Sequence, residues 1–142
     1  MPSVIELDDI IAAHRHRDGA LLPILHDVQA RFGHVDDGAI RSIALALNLS
    51  RAEVFGVVSF YHDYRTSPAA LPVIKLCRAE ACQARGVEAL VAAAEARAVR
   101  RVSLESVYCL GLCAVGPAAM AGDRVFARLD ADTLAALIEA AA

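Results

Sequence analysis

Four cysteines lie in the second half of this 142-residue chain, and they form two pairs. Cys77 and Cys82 follow a C-x4-C spacing, and Cys109 and Cys113 follow a C-x3-C spacing. The chain has no other cysteines. Four thiolates divided between two short segments can hold one tetrahedral metal ion or one iron–sulfur cluster. The chemistry of the protein therefore depends on what these cysteines bind.

The spacing alone leaves two kinds of metal centre open. Structural zinc sites use cysteine pairs separated by two to four residues, and a [2Fe-2S] cluster takes the same four ligands. A redox-sensing thiol protein is a third hypothesis, although the C-x-x-C motif of thioredoxin-type disulfides is absent. A Rieske centre would need two histidine ligands. The histidines all lie in the first half of the chain, and we predict none of them as a ligand: His14, His16, His26, His34 and His62.

The second cysteine pair must lie on a chain that folds back on itself. An extended chain advances about 3.3–3.6 Å per residue, so an extended Cys109–Cys113 segment would be too long to serve one metal atom. Gly111 and Pro117 predict a turning loop here. The uncharged segment 106–122 also approaches membrane-spanning length. Its glycines and proline favour a buried loop and strand around a metal centre instead.

Two arginines flank the first cysteine pair. Four thiolates around iron carry net negative charge, which backbone N–H groups or nearby cations must offset. Arg78 and Arg85 are the candidate cations. No acid–base pair or nucleophile accompanies the cysteines, and we interpret Asp8-Asp9 and Asp36-Asp37 as helix caps. We therefore predict no catalytic residues.

Composition indicates an ordinary folded protein with a substantial core. Hydrophobic residues make up 57% of the chain and charged residues 22%. The net charge of −3 argues against a nucleic-acid partner. The acidic N-terminus lacks the pattern of a secretory signal, which predicts a cytoplasmic protein without direct membrane insertion. Thiols stay reduced there, which favours metal or cluster ligation over disulfides.

Local signals divide the chain near Thr66-Ser67-Pro68, and we predict a helical domain at 1–68 and an α/β domain at 69–142. In the first part, apolar residues recur at helical spacing and helix-capping residues punctuate them. These signals are the stripe Leu21, Leu25, Val28 and Phe32 with Gly33 after it, a cap at Asp36 or Asp37 with a stop at Asn48, and a capping box from Ser50 to Glu53.

The second part alternates between strand and helix signals. A strand runs into Cys77, an alanine-rich helix covers 86–97, and a strand near Val102 and Leu104 leads to Cys109. Gly122-Asp123 marks a two-residue hairpin, and Asp130 or Asp132 caps a final helix. This order predicts a small α/β sandwich.

The residues around the cysteines resemble the ligand loops of the thioredoxin-like [2Fe-2S] ferredoxins. Residues 77–86 (CRAEACQARG) are similar to the first loop, and residues 108–117 (YCLGLCAVGP) to the second, where C-L-G-x-C before a proline is a specific sign. In the helical part, 32–35 (FGHV) and 54–61 (VFGVVSFY) resemble a further family segment. The resemblance runs from about residue 20 to the end. It implies an α/β fold with an N-terminal helical bundle followed by a thioredoxin-like domain with a mixed sheet.

The resemblance also implies a function. It assigns Cys77, Cys82, Cys109 and Cys113 as ligands of a [2Fe-2S] cluster, with each pair on one iron. It implies an electron-transfer subunit without independent turnover. The subunit would dock on a partner that binds FMN and NAD, and further iron–sulfur subunits would complete an NAD-dependent oxidoreductase complex. The loop wording is most similar to the γ subunit of NAD-dependent formate dehydrogenase, with the 24 kDa subunit of NADH dehydrogenase and NAD-linked hydrogenases as alternatives.

Two further expectations follow from the comparison with that family. The spacer between the cysteine pairs is shorter than usual, which predicts a trimmed loop near 97–102. The helical part is expected to bind a partner subunit, and its aromatic residues could contribute. We expect Phe55 and Phe60 to pack in the core, with Tyr61 and Tyr64 completing the cluster.

Overall fold

A computed structural model describes residues 4–142 of the chain. Its internal contacts form two compact units, one ending at Ala69 and one beginning at Ala70. The division into a helical domain at 1–68 and an α/β domain at 69–142 stays a prediction.

The first unit is helical. Its helices are α1 (Val4–His14), α2 (Leu21–Phe32), α3 (Asp37–Leu47) and α4 (Arg51–Phe60). The apolar stripe predicted for α2 is largely correct, because Leu25 and Val28 are fully buried while Phe32 packs at the edge of the core. Ile40 and Ile43 of α3 and Val54 of α4 are buried in the same cluster. Each helix therefore contributes one apolar face to a single core.

Local capping residues set the helix boundaries where they were predicted. Gly33 ends α2 in the left-handed region, with φ of 76°, and its N–H donates to the Gln29 carbonyl. The Asp36 carboxylate accepts from the Ala39 N–H at 2.7 Å and begins α3. Asp8 and Asp9, in contrast, lie within α1 as exposed residues, so the capping interpretation was wrong for that pair.

The aromatic residues of α4 are more exposed than predicted. Phe55 is 50% exposed and Phe60 is 74% exposed, so the expectation that both pack in the core was wrong. The buried face of α4 is formed by Val54 and Val58, one turn apart, and the residue after Val54 points away from it. Tyr64 alone of the aromatic cluster is buried.

Substitution of Ser50 tests the capping box at the start of α4. The Ser50 hydroxyl accepts from the Glu53 N–H at 3.2 Å and donates to Glu53 Oε2 at 2.8 Å. The Ser50 N–H also donates to that carboxylate, and these bonds lower the pKa of Glu53. We expect Ser50→Ala to destabilise α4 by about 1 kcal/mol, measured by amide exchange. The pKa of Glu53 should rise only part of the way, because the backbone bond remains.

The sign of the pH effect follows from the lowered pKa of Glu53. Stability from its ionised form is present above the ordinary carboxyl range and is lost as the pH falls through the folded-state pKa. The difference in stability between wild type and Ser50→Ala should therefore become smaller at acidic pH. Ser59→Ala, at the other end of the same helix, is the control. A Glu53 titration curve by NMR that is the same in wild type and Ser50→Ala would contradict the assignment.

The second unit is an α/β layer with a mixed sheet. Its elements are β1 (Val73–Cys77), α5 (Glu80–Ala84), α6 (Val87–Ala98), β2 (Ser103–Val107), a 3₁₀ turn (Cys113–Val115), β3 (Ala119–Ala121), β4 (Arg124–Phe126) and α7 (Ala131–Ala141). The strand order is β2-β1-β3-β4. β1 and β2 are parallel, and the β1–β3 and β3–β4 pairs are antiparallel. This confirms the predicted α/β class with a helical N-terminal part and a mixed sheet.

The sheet and its helices enclose a second core. Ile74 and Leu76 of the central strand are buried with Val87 of α6 and with Leu134 and Ile138 of α7. The predicted hairpin joins β3 to β4 around Gly122, whose φ is 57°. Asp130, one of the two predicted caps, begins α7 in a capping box with Thr133. The predicted trimmed loop between α6 and β2 is a tight turn, in which the Ala98 carbonyl accepts from Arg101 and Val102.

No helix in residues 4–142 combines the length and the apolar character that a bilayer-spanning helix needs.

Candidate metal centre

Strand pairing brings the two cysteine segments to one edge of the sheet. β1 and β2 run in the same direction, and Cys77 at the end of β1 lies opposite Val107 at the end of β2. The Arg78 N–H donates to the Val107 carbonyl at 2.8 Å and continues the pairing one residue further. Cys109 follows two residues after Val107, so both cysteine loops leave the sheet side by side.

The second loop turns back on itself as the spacing required. Gly111 has φ of 76°, and its N–H donates to the Cys109 sulfur at 3.3 Å. A 3₁₀ turn begins at Cys113, and the sulfurs of Cys109 and Cys113 lie 3.5 Å apart. Cys109 itself has φ of 107°, a region that residues with a side chain rarely adopt. Such strain costs about 1–3 kcal/mol and is typical of functional sites.

Gly116 allows the two loops to approach closely. A Cβ on Gly116 would lie 2.9 Å from the Cys82 sulfur, closer than real Cβ contacts allow. Cys82 itself lies in α5, the short helix after β1, and is buried. The glycine therefore lets the backbone after the second cysteine pair pass directly over a sulfur of the first pair.

The environment of the Cys77 sulfur lowers the pKa of its thiol. Burial acts to raise the pKa of the Cys77 thiol, but hydrogen bonds to its sulfur outweigh burial, so the pKa is lowered. The donors are the N–H groups of Ala79, Cys109 and Leu110, together with the Cys82 thiol. Hydrogen bonds of this kind stabilise a thiolate and tune any cluster that it holds. The sequence predicted N–H donors in general, but only the fold identifies which residues supply them.

Neighbouring thiols raise the pKa values of Cys82 and Cys113. Burial and the neighbouring Cys77 raise the pKa of Cys82, although the Ala118 N–H opposes this. The hydrogen bond and the charge of Cys109 raise the pKa of Cys113. Four thiolates so close together repel one another, and a bound cation would relieve that repulsion.

The two cysteine pairs differ in exposure. Cys77 and Cys82 are each only 2% exposed, whereas Cys109 and Cys113 are exposed. The expectation that segment 106–122 forms a buried loop was therefore wrong for its first part, since Tyr108 is 74% exposed. The burial begins at Gly116. The reason is that the loop leaves the sheet edge after β2 and returns to the core only at β3.

The two candidate arginines have different environments. Arg78 makes a two-pronged ion pair with Glu88, at 2.8 and 2.5 Å, so a carboxylate already offsets the charge of this candidate cation. The carboxylate lies in the first turn of α6 and neutralises that charge. Arg85 instead donates from Nε to the Cys113 carbonyl at 3.1 Å. Arg85 is therefore the cation that reaches the second ligand loop.

The histidines lie outside this site, as each belongs to the first unit. His14 Nε2 lies 2.6 Å from Asp27, and His34 Nδ1 lies 3.0 Å from the Phe32 carbonyl. His26 stacks at a tilt against the Tyr64 ring.

The donor set fits a [2Fe-2S] cluster. All four thiols are free, and they stand as two pairs, Cys77 with Cys82 and Cys109 with Cys113. Within residues 4–142, no three or more Cys, His, Asp or Glu side chains converge as the site of one metal ion. Two thiol pairs with N–H donors around a sulfur match the needs of a centre with two metal atoms and net negative charge.

Comparison with known proteins also indicates a [2Fe-2S] cluster. The family model of the thioredoxin-like [2Fe-2S] ferredoxins matches residues 7–142. An NADH-quinone oxidoreductase subunit from Escherichia coli (strain K12) is 31% identical over 137 residues, which cover 89% of this chain and 82% of that protein. The NADP-reducing hydrogenase subunit HndA of Solidesulfovibrio fructosivorans is 28% identical over 134 residues, covering 88% and 78%.

A solved structure is similar over most of this chain. A crystal structure of an NAD+-reducing [NiFe]-hydrogenase in the air-oxidized state matches 88% of this chain with a TM-score of 0.72 and 30% identity. This chain spans 23% of the length of that hydrogenase chain. Because the family model covers nearly all of the sequence, the chain belongs to the thioredoxin-like [2Fe-2S] ferredoxins, and its cofactor is a [2Fe-2S] cluster.

Proposed function

We propose that the four cysteines are the cluster ligands and that the chain is an electron-transfer subunit. Cys77 and Cys82 hold one iron, and Cys109 and Cys113 hold the other. The observation that carries this proposal is the convergence of both loops at the ends of β1 and β2, where the backbone of Gly116 lies against the Cys82 sulfur and the sulfurs of Cys109 and Cys113 lie 3.5 Å apart. A binding site shared between two loops explains why the fold places them at one edge of the sheet.

The residues of the chain bind, orient and shield the cofactor. When bound, a [2Fe-2S] cluster supplies one-electron exchange. The buried pair Cys77 and Cys82 excludes water from one side of the site, and the N–H donors hold sulfur charge in place. The exposed pair Cys109 and Cys113 offers the short path for an electron to a partner protein. No proton transfer or bond chemistry by these residues is required.

The partner is a subunit that binds FMN and NAD, and further iron–sulfur subunits complete the complex. This is supported by the names of the relatives, which are subunits of NADH-quinone oxidoreductase and of hydrogenases that reduce pyridine nucleotides. Electrons pass singly between the flavin and this subunit, which has no turnover alone. The exposed rings of Phe60 and Tyr61, 5.1 Å apart, are candidates for a partner contact on the helical unit. The complex works in the cytoplasm.

We propose more specifically that the parent complex is an NAD-dependent formate dehydrogenase, with this chain as its γ subunit. Support comes from the wording of the two ligand loops, CRAEACQARG and CLGLCAVGPAA, which resembles that of the γ subunit. The alternatives are the 24 kDa-type subunit of NADH:quinone oxidoreductase and an NAD-linked hydrogenase subunit, which the relatives' names favour. Purification with native partners distinguishes them. A molybdenum or tungsten subunit supports formate dehydrogenase, quinone-linked membrane subunits support the respiratory complex, and a nickel–iron subunit supports hydrogenase.

Oxygen-free purification of the chain tests the cofactor and its ligands. We expect a red-brown protein that bleaches with dithionite and contains about two irons per chain, as a [2Fe-2S] cluster requires. Zinc at about one ion per chain in a colourless protein would favour a structural zinc module instead. Folded protein without metal, carrying a mapped disulfide, would favour a redox-sensing thiol protein.

A further inference from the structure

Arg85 connects the two cysteine loops at the proposed site. Its Nε donates to the Cys113 carbonyl at 3.1 Å, which links the residue after α5 to the second loop. Its Cδ and the Cys82 sulfur lie 3.4 and 2.9 Å from one point, the position that a Cβ on Gly116 would take. The Arg85 side chain therefore lies close to Gly116, as the Cys82 sulfur does, and its Nε ends on the backbone of the second loop.

The charge of Arg85 is available to the site, whereas that of Arg78 is not. Glu88 forms a two-pronged ion pair with Arg78. Among residues 4–142 no carboxylate forms an ion pair with Arg85. Within the described part of the chain, the Nε contact therefore holds a positive charge without a carboxylate partner next to the second cysteine loop.

We propose that Arg85 is a positioning residue for the cluster and that its positive charge raises the reduction potential of the centre. The proposal rests on the cysteine ligand set proposed above. The centre takes up one electron from an external donor, and no atom or proton moves with it. The reduced form carries one more negative charge than the oxidised form. A cation held beside it stabilises the reduced form more, because the attraction grows with the charge.

A redox titration of the cluster-loaded full chain tests this inference. We compare wild type with Arg85→Gln, which removes the charge, and Arg85→Lys, which keeps it. The control is Arg101→Gln, an exposed arginine in the turn before β2, at the opposite end of that strand from the cysteines. Dithionite with redox mediators supplies the electrons, and visible absorption and EPR follow the reduced fraction. We expect a lower midpoint potential in Arg85→Gln, and wild-type values in Arg85→Lys and Arg101→Gln.

The outcomes separate this inference from the proposed function. Wild-type protein without iron would overturn the cluster assignment itself. Wild-type protein with two irons, together with an unshifted potential in Arg85→Gln, would overturn only the role of Arg85. If Arg85→Gln binds no iron, its potential cannot be measured, and the iron content and midpoint potential of Arg85→Lys test the proposal instead. Iron retention at the wild-type potential supports the proposal, and iron loss or a shifted potential in Arg85→Lys overturns it.

Discussion

Replacing Cys113 by serine is expected to reduce the bound iron from about two atoms per chain to near zero. The Cys113 sulfur lies 3.5 Å from that of Cys109, so its loss leaves one iron with a single thiolate from the second loop. Serine is similar in size, but its hydroxyl is far less acidic than a thiol and gives up its proton poorly. Visible absorption and iron quantitation of anaerobically purified protein measure the effect.

The same variant should lower the stability of the second unit. Metal-binding free energy is partly folding free energy when the site does not exist in the unfolded chain. The helical unit has its own core around Ile24 and Leu25, so we expect its helicity to survive cluster loss better than the α/β unit does. Hydrogen exchange across the whole chain would record this difference.

The matched control for this variant lies next to it. Ala114→Ser introduces the same side chain one residue later in the same exposed loop. It should keep the iron and the melting temperature of the wild type. Cys113→Ser protein with unchanged absorption and an unchanged melting temperature would remove Cys113 from the ligand set.

Local chemistry explains which elements could be predicted from the sequence. Asp36, Ser50 and Asp130 each form the predicted cap by bonding a backbone N–H within three residues. The hairpin at Gly122 depends on a backbone conformation that glycine adopts easily. The cysteine-flanking motifs were equally informative, since the family they indicated is the family that matches. In each of these cases, the residues that give the signal lie close in sequence to the structure that they predict.

Tertiary packing decided what the sequence could not show. Phe55 and Phe60 belong to an apolar helix, but the face of α4 that meets its neighbours was set by Val54 and Val58. The pairing of Arg78 with a carboxylate ten residues later depends on how α6 returns along the sheet. Exposure and ion pairing depend on neighbours distant in sequence, and periodicity does not encode them.

In the candidate site, too, local features could be predicted from the sequence, and contacts between distant residues could not. The four cysteines and the turn after Cys109 could be identified from spacing and residue type. The N–H donors to the Cys77 sulfur could not, because a backbone group carries no residue signature. The close approach at Gly116 had a signal in the glycine itself, but its contact with Cys82 required the fold. Residue types therefore indicate the ligands, and topology determines the environment that tunes them.

Truncating the buried side chain of Ile74 is expected to produce the second large effect. Ile74 has no exposed surface and lies in the central strand, between Leu104 of β2 and Ala121 of β3. Ile74→Ala removes buried methyl and methylene groups and leaves a cavity, at a cost of about 2–5 kcal/mol. Since small domains have only about 5–15 kcal/mol of stability, this is a large fraction of the total.

The cost should also appear at the metal centre, because Ile74 lies three residues before Cys77 on the same strand. Disordering β1 would separate Cys77 from Val107 and from the N–H donors of the second loop. We expect Ile74→Ala to lose its visible absorption at a lower temperature than wild type, in step with the loss of circular dichroism. Ile74→Val, which removes one methyl group, should cost only about 0.5–1.5 kcal/mol and give an intermediate result. If Ile74→Ala unfolds earlier by circular dichroism but bleaches at the wild-type temperature, the cluster is held without an intact β1, and the sheet does not position the ligands.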